Sequence, residues 1–205
     1  MKFAAGLMLA CFVQIAVFAV VEAQVGNPAG LAPGTREAAP GVPASGETNQ
    51  VDRLFVEQLA MGNRAEIEAG KLAMGKAHNG AVEKFARRMA EDHMQANDRL
   101  AELAKWRKIA LPETLDAEQQ IMQQRLRKVS GTEFDTAYIE GQIQGHQKTA
   151  TLLEWEIDSG ENSQIKRFAS QTLPVVFQHL QMAQNIQQQL SVGGRSDPSV
   201  VVRSR

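Results

Sequence analysis

The sequence predicts an all-α protein: a four-helix bundle built from two helical hairpins, with a short crossover helix between the second and third long helices. Three observations carry that prediction. Apolar residues recur at spacings of three and four from about residue 50 to 190, the period of one helix face. Aromatics make up only 5% of the 205 residues, while straight-chain residues that lose little rotamer freedom in a helix abound. An internal repeat then relates the helices in pairs.

The first long helix is expected from Val51 to Ala77, where Asn79-Gly80 breaks the pattern. The second runs to Lys108, with Val82, Phe85, Met89, His93, Ala96, Leu100 and Leu103 on one face, and Leu111-Pro112 stops it. A short helix is expected over Thr114 to Lys128, ended by Ser130-Gly131-Thr132. Thr132 and Asp135 have the spacing of a capping box for the third long helix, which runs to Asp158 before Ser159-Gly160. Asn162 can cap the fourth, which runs to Leu190.

A shift of 83 residues lays one hairpin on the other without a gap from Phe55 to Ala86. Phe55 falls on Tyr138, Glu57 on Glu140, Gly62 on Gly145, Phe85 on Phe168 and Ala86 on Ala169. Asn79 falls on Asn162, and both stand at hairpin turns. Two long hairpins joined by about 22 residues are what a bundle with one long crossover needs, since that length can span a helix of about 40 Å.

The flanks differ in kind. Residues 1–23 read as a signal peptide: Lys2 gives a positive start, Phe3 to Val21 is nearly all apolar, and Val21-Glu22-Ala23 offers a cleavage site. Gln14 interrupts the run and weakens the alternative, membrane association through an uncleaved N-terminal segment. Residues 24–49, with Pro28, Pro33, Pro40 and Pro43 among small residues, read as a disordered linker, and 191–205 as a disordered tail. The expected location is the periplasm or the outer membrane. The single cysteine, Cys11, lies in the leader, so the mature chain is expected to lack disulfides, a cysteine nucleophile and a thiolate metal site.

A formal net charge of -1 argues against a nucleic-acid partner, which needs a concentrated basic face. Lys84, Arg87 and Arg88 with Lys76 read as a small solvated patch. No phosphate loop, catalytic-serine motif or Cys/His finger occurs, so no catalytic residue is assigned and an enzyme is not expected. Met61, Met74, Met89, Met94, Met122 and Met182 are scattered over several faces and read as core filler.

Several stretches recur in order: Gly62-Asn63-Arg64-Ala65-Glu66-Ile67-Glu68, Phe85-Ala86 with Met89, and Asp92-His93 with Ala96 and Leu100. Ser130-Gly131 with Phe134-Asp135 and Tyr138, Gly145-His146-Gln147, and Phe168-Ala169 leading to Leu173-Pro174 and His179-Leu180 complete them. Together they resemble the bacterial domain-of-unknown-function family DUF4142, over Val51 to Leu190. The resemblance implies a ferritin-like bundle and an outer-membrane or periplasmic address, and it brings no settled activity.

Ferritin-like di-iron sites take a glutamate from each of two helices and Glu-x-x-His from each of the others. Here Ala90 stands three residues before His93 and Val176 three before His179, so that carboxylate-rich pattern is missing. Yet His93, His146 and His179 each lie in the apolar stripe of a different long helix. The first helix offers Glu66, with Glu68 as the alternative because the phase of that helix is ambiguous. Glu66 lies 13 residues before Asn79 and His93 14 after it; His146 lies 16 before Asn162 and His179 17 after it. Antiparallel neighbours meet at equal distance from their turn, so the two pairs are expected within about 4 Å of one height.

Three histidines and a carboxylate suit zinc, copper or iron. The competing expectation is buried neutral imidazoles satisfied by nearby polar groups, with Gln142, Gln178, Thr149 and Asp92 able to serve. His78, at a turn, is expected in solvent. Pro174 is expected to kink the fourth helix before His179, and Gly141 and Gly145 to allow a close helix approach. The functional expectation is an exported, non-enzymatic binding or stress-protective module. The alternative is a transition-metal-binding protein or oxidase using Glu66, His93, His146 and His179.

Overall fold

A computed structural model describes residues 48–193, all helix apart from short connections. The expected signal peptide, nearly all of the linker, and the tail beyond Gly193 lie outside the described residues. Helix α1 spans Gln50–Lys76, α2 Gly80–Arg107, α3 Ala117–Lys128, α4 Gly131–Ser159 and α5 Ser163–Gly193.

The starts follow local chemistry. Asn49 caps α1 by accepting from the Asp52 amide at 2.7 Å, and Asn79 caps α2 from Ala81 at 2.8 Å. Asn162 accepts from the amides of Gln164 and Ile165 at the head of α5. The short helix begins at Ala117 rather than Thr114, because Asp116 and Gln119 form a reciprocal capping box. The box expected from Thr132 and Asp135 does not form. Ser130 stands at the cap without a side-chain bond, and Gly131 supplies a φ of 60° that glycine adopts freely. Asp135 is engaged elsewhere, as described next. At the far end, α5 passes through Pro174 as one helix and continues to Gly193, three residues beyond the expected stop.

Helices α1 and α2 form one hairpin and α4 and α5 the other; α1 also packs on α4 and α2 on α5. All four neighbouring pairs are antiparallel, and the segment carrying α3 returns the chain from one end to the other. Asp52, at the start of α1, accepts from the Glu161 and Asn162 amides at 3.0 and 3.1 Å in the α4–α5 turn. Asp135, at the start of α4, accepts from the His78 and Asn79 amides at 3.0 and 2.8 Å in the α1–α2 turn. At Gly70 a Cβ would lie 2.9 Å from the Ala86 carbonyl, so its absence lets α1 close on α2.

The apolar core comes in two blocks. One gathers Phe55, Val56, Leu59, Leu100, Leu153 and Ile165 toward the α4–α5 turn. The other gathers Val82, Phe85, Met89, Phe134, Tyr138 and Ile139 toward the α1–α2 turn. Between them lies a buried polar layer containing Asn63, His93, Gln142, His146 and His179.

Candidate metal centre

Helical periodicity delivers one imidazole to this layer from each of α2, α4 and α5. His93, His146 and His179 are 7%, 1% and 2% exposed. Their ring centroids lie 5.5, 5.6 and 5.3 Å apart, and one ring nitrogen from each lies within 4.8 Å of the others.

The outer nitrogen of each ring meets an acceptor. His93 Nδ1 stands 2.9 Å from Asn63 Oδ1, His146 Nδ1 2.8 Å from the Gln142 carbonyl, and His179 Nε2 2.8 Å from Asp92 Oδ2. A carbonyl or carboxylate oxygen only accepts, so each outer nitrogen carries the proton and donates it. The inner nitrogens, His93 Nε2, His146 Nε2 and His179 Nδ1, are then left with lone pairs. His146 Nε2 and His179 Nδ1 face each other at 3.3 Å, and His93 Nε2 is buried without a hydrogen-bond partner.

Lone pairs so placed repel unless a cation stands among them. A further proton on His93 or His179 is disfavoured. Burial, and then the neighbouring His146 and His179, hold His93 well below the usual histidine range. Burial also lowers His179, although Asp92 opposes it. The donor set therefore fits a metal ion: three imidazoles, each oriented by a hydrogen bond from behind.

Glu66, not Glu68, faces the interior; Glu68 is exposed and bonded to Gln123. Glu66 does not join the converging nitrogens. It stands behind His146, with Oε1 3.9 Å from Nδ1 and Oε2 accepting from the Gln142 amide. Burial raises its pKa above the ordinary carboxylate value. The structure thus gathers three of the four expected ligands and leaves Glu66 as a backing group. Of the expected satisfying groups, Asp92 serves through its side chain and Gln142 through its backbone, while Gln178 is exposed. His78 is exposed, as expected.

Asn63, the acceptor behind His93, is a polar residue that apolar periodicity does not mark. The repeat held the signal: Asn63 lies 83 residues before His146 and so takes the same place in its hairpin. Gly145 gives the expected close approach, though toward a side chain: its Cβ would sit 3.1 Å from Glu66 Oε1.

Residues 37–186 match the family described as a domain of unknown function, DUF4142. The chain belongs to the DUF4142 family. No curated protein matches the sequence significantly. Among solved structures, this DUF4142 chain is similar to a DUF305 fragment from Deinococcus radiodurans. The TM-score is 0.62 at 10% identity, over 70% of this chain and 99% of that one. It is similar also to a DUF305 protein from Streptomyces coelicolor, with TM-score 0.60 at 11% identity over 72% and 95%. A third relative in fold is CopM in its Cu(II)-bound form, with TM-score 0.58 at 17% identity over 67% and 96%. At these identities the likeness is one of fold, an all-helical bundle.

Proposed function

We propose that this DUF4142 protein is an exported metal-binding protein that holds one transition-metal ion through His93 Nε2, His146 Nε2 and His179 Nδ1, with copper first among the candidates. The observation that carries the proposal is the inward convergence of three lone-pair nitrogens whose outer nitrogens all donate to acceptors. Imidazole suits copper, zinc and iron alike. Copper takes precedence because CopM, of the same fold, has been solved with Cu(II), Cu(I) and Ag.

Three nitrogens bonded at about 2.0 Å in one plane stand about 3.5 Å apart. One pair is already at 3.3 Å, so closing the set needs only a small movement of the third ring. Asn63, the Gln142 carbonyl and Asp92 fix the tautomers and aim the rings. Asp92 also puts carboxylate charge directly behind the His179 ring, which offsets the charge of a cation held away from water. A bound copper ion would supply Lewis acidity or one-electron chemistry. The near-complete burial of its three ligands favours sequestration over turnover of a substrate. The broader expectation of a non-enzymatic binding module thereby gains a ligand.

Elemental analysis of the exported protein tests this. About one equivalent of copper in the wild type, lost in His93→Ala and His146→Ala, is the expected result. Less than a tenth of an equivalent of any transition metal, with no thermal shift on adding copper, zinc or iron, would overturn it.

A further inference from the structure

A cluster this deeply buried needs a way in for its ion, and the bundle offers two faces. On one, Asp92 is partly exposed behind His179, but the Arg88 guanidinium lies 3.2 Å from its carboxylate. A cation approaching there meets a positive charge first. On the other face a cavity of about 350 Å³ opens between α1, α4 and the crossover helix α3. Its lining carries Glu66, Asp116 and Glu118 against a single base, Lys148, which is paired with Glu118.

Two buried polar atoms without partners, Tyr138 Oη and Gln142 Oε1, belong to residues of the same lining. Gly62, Gly141 and Gly145 line the cavity, with open space above Gly62 and Glu66 seated against Gly145, and Glu66 is 3.9 Å from His146. The roof is lightly attached. Helix α3 buries only Leu126 and is otherwise tied at its rim by Glu118 to Lys148, by Gln123 to Glu68 and by Lys76 to the carbonyls of Leu126 and Arg127.

We propose that the groove beneath α3 is the uptake route for the cation, and that Glu66 is the positioning residue that passes it to His146. This rests on the metal-binding function proposed above. Glu66 is then a relay rather than a ligand, which matches its place behind the ring. A carboxylate on the path draws the cation in and speeds release by the same factor, so its loss changes rates and leaves affinity in place.

Stopped-flow uptake of Cu(II) by the full exported chain, with dissociation followed by competition with a chelator, tests the route. Glu66→Gln is expected to slow association about tenfold, to slow dissociation by a similar factor, and to leave one equivalent bound. Arg88→Gln is expected to leave the association rate unchanged. Unaltered association in Glu66→Gln would overturn the route, as would weaker equilibrium binding carried by faster dissociation, which would make Glu66 a ligand. Faster association in Arg88→Gln would assign uptake to the Asp92 face and overturn it too. If the wild type takes up no copper, the proposed function fails first and the route with it; if it does and only these kinetics disagree, the function stands alone.

Discussion

Asp52 and Asp135 stand 83 residues apart and do the same thing at opposite ends of the bundle: each accepts from two backbone amides in the turn of the other hairpin. Both are 1% exposed. Each hairpin is thus clasped to the other reciprocally, by carboxylates that also satisfy amides at the heads of α5 and α2.

Replacing either carboxylate by Ala removes two hydrogen bonds from part-buried turn amides, which water can replace only incompletely, at a cost of about 0.5–1.5 kcal/mol each. Asp52→Ala and Asp135→Ala should each lower the urea midpoint, and the double variant should add the two effects because the sites are at opposite ends. Equal midpoints for wild type and either single variant would mean that the clasp contributes nothing.

Glu156 supplies a pH dependence of its own. It is fully buried near Asp52, in the place that Ala73 takes in the other hairpin. Burial first, and then the Asp52 carboxyl beside it, push its pKa up to about 8. Below about pH 4.5 the group is protonated whether the chain is folded or not, and contributes no pH dependence. Between about 4.5 and 8 the unfolded chain releases the proton that the folded chain keeps, so stability falls as pH rises, by up to about 1.4 kcal/mol per unit, and levels off above. Glu156→Gln, neutral at every pH, should remove that slope. Its advantage over wild type in urea unfolding should be larger at pH 8 than at pH 5; an equal advantage at both would contradict the buried-acid reading.

The side chains that accept from the outer ring nitrogens, Asn63 and Asp92, should govern affinity without setting stoichiometry. Asp92→Asn keeps an acceptor oxygen but removes the charge behind His179, and Asn63→Ala removes the acceptor that fixes the His93 tautomer. Losses at such positions run to about 10–100-fold in metal affinity. Titration against a competing chelator should show one equivalent bound by each variant, at weaker affinity. Unchanged affinity in both would mean that the ring orientations are held by packing alone.

What the sequence made legible follows from what periodicity records. His93, His146 and His179 could be placed because apolar neighbours at three and four residues fix the phase of α2, α4 and α5. The phase of α1 was ambiguous between Glu66 and Glu68 because its buried face includes Asn63 and Gly70, which carry little hydrophobic signal. The capping box at Thr132 was misjudged for a different reason. Asp135 finds its amides 56 and 57 residues away, and a local motif cannot show a bond between hairpins. The carbonyl behind His146 was equally hidden: Gln142 was named for its side chain, and it is the backbone that serves.

The polar layer should cost the metal-free fold stability, and His93 allows the cost to be measured. Its Nε2 is buried without a partner, as is Asn63 Nδ2, while its Nδ1 donates to Asn63 Oδ1. His93→Leu alone removes the first problem but orphans Asn63 Oδ1, so its net effect on metal-free stability should be small. Asn63→Leu with His93→Leu replaces both partners by apolar groups that continue the core blocks on either side. Such paired replacements are neutral to stabilising, and the orphaned atoms removed are worth about 1–3 kcal/mol. The double variant should therefore unfold at higher urea than metal-free wild type, and should bind no copper. A less stable double variant would mean that the layer is a structural hydrogen-bond network in its own right, held for packing rather than for an ion.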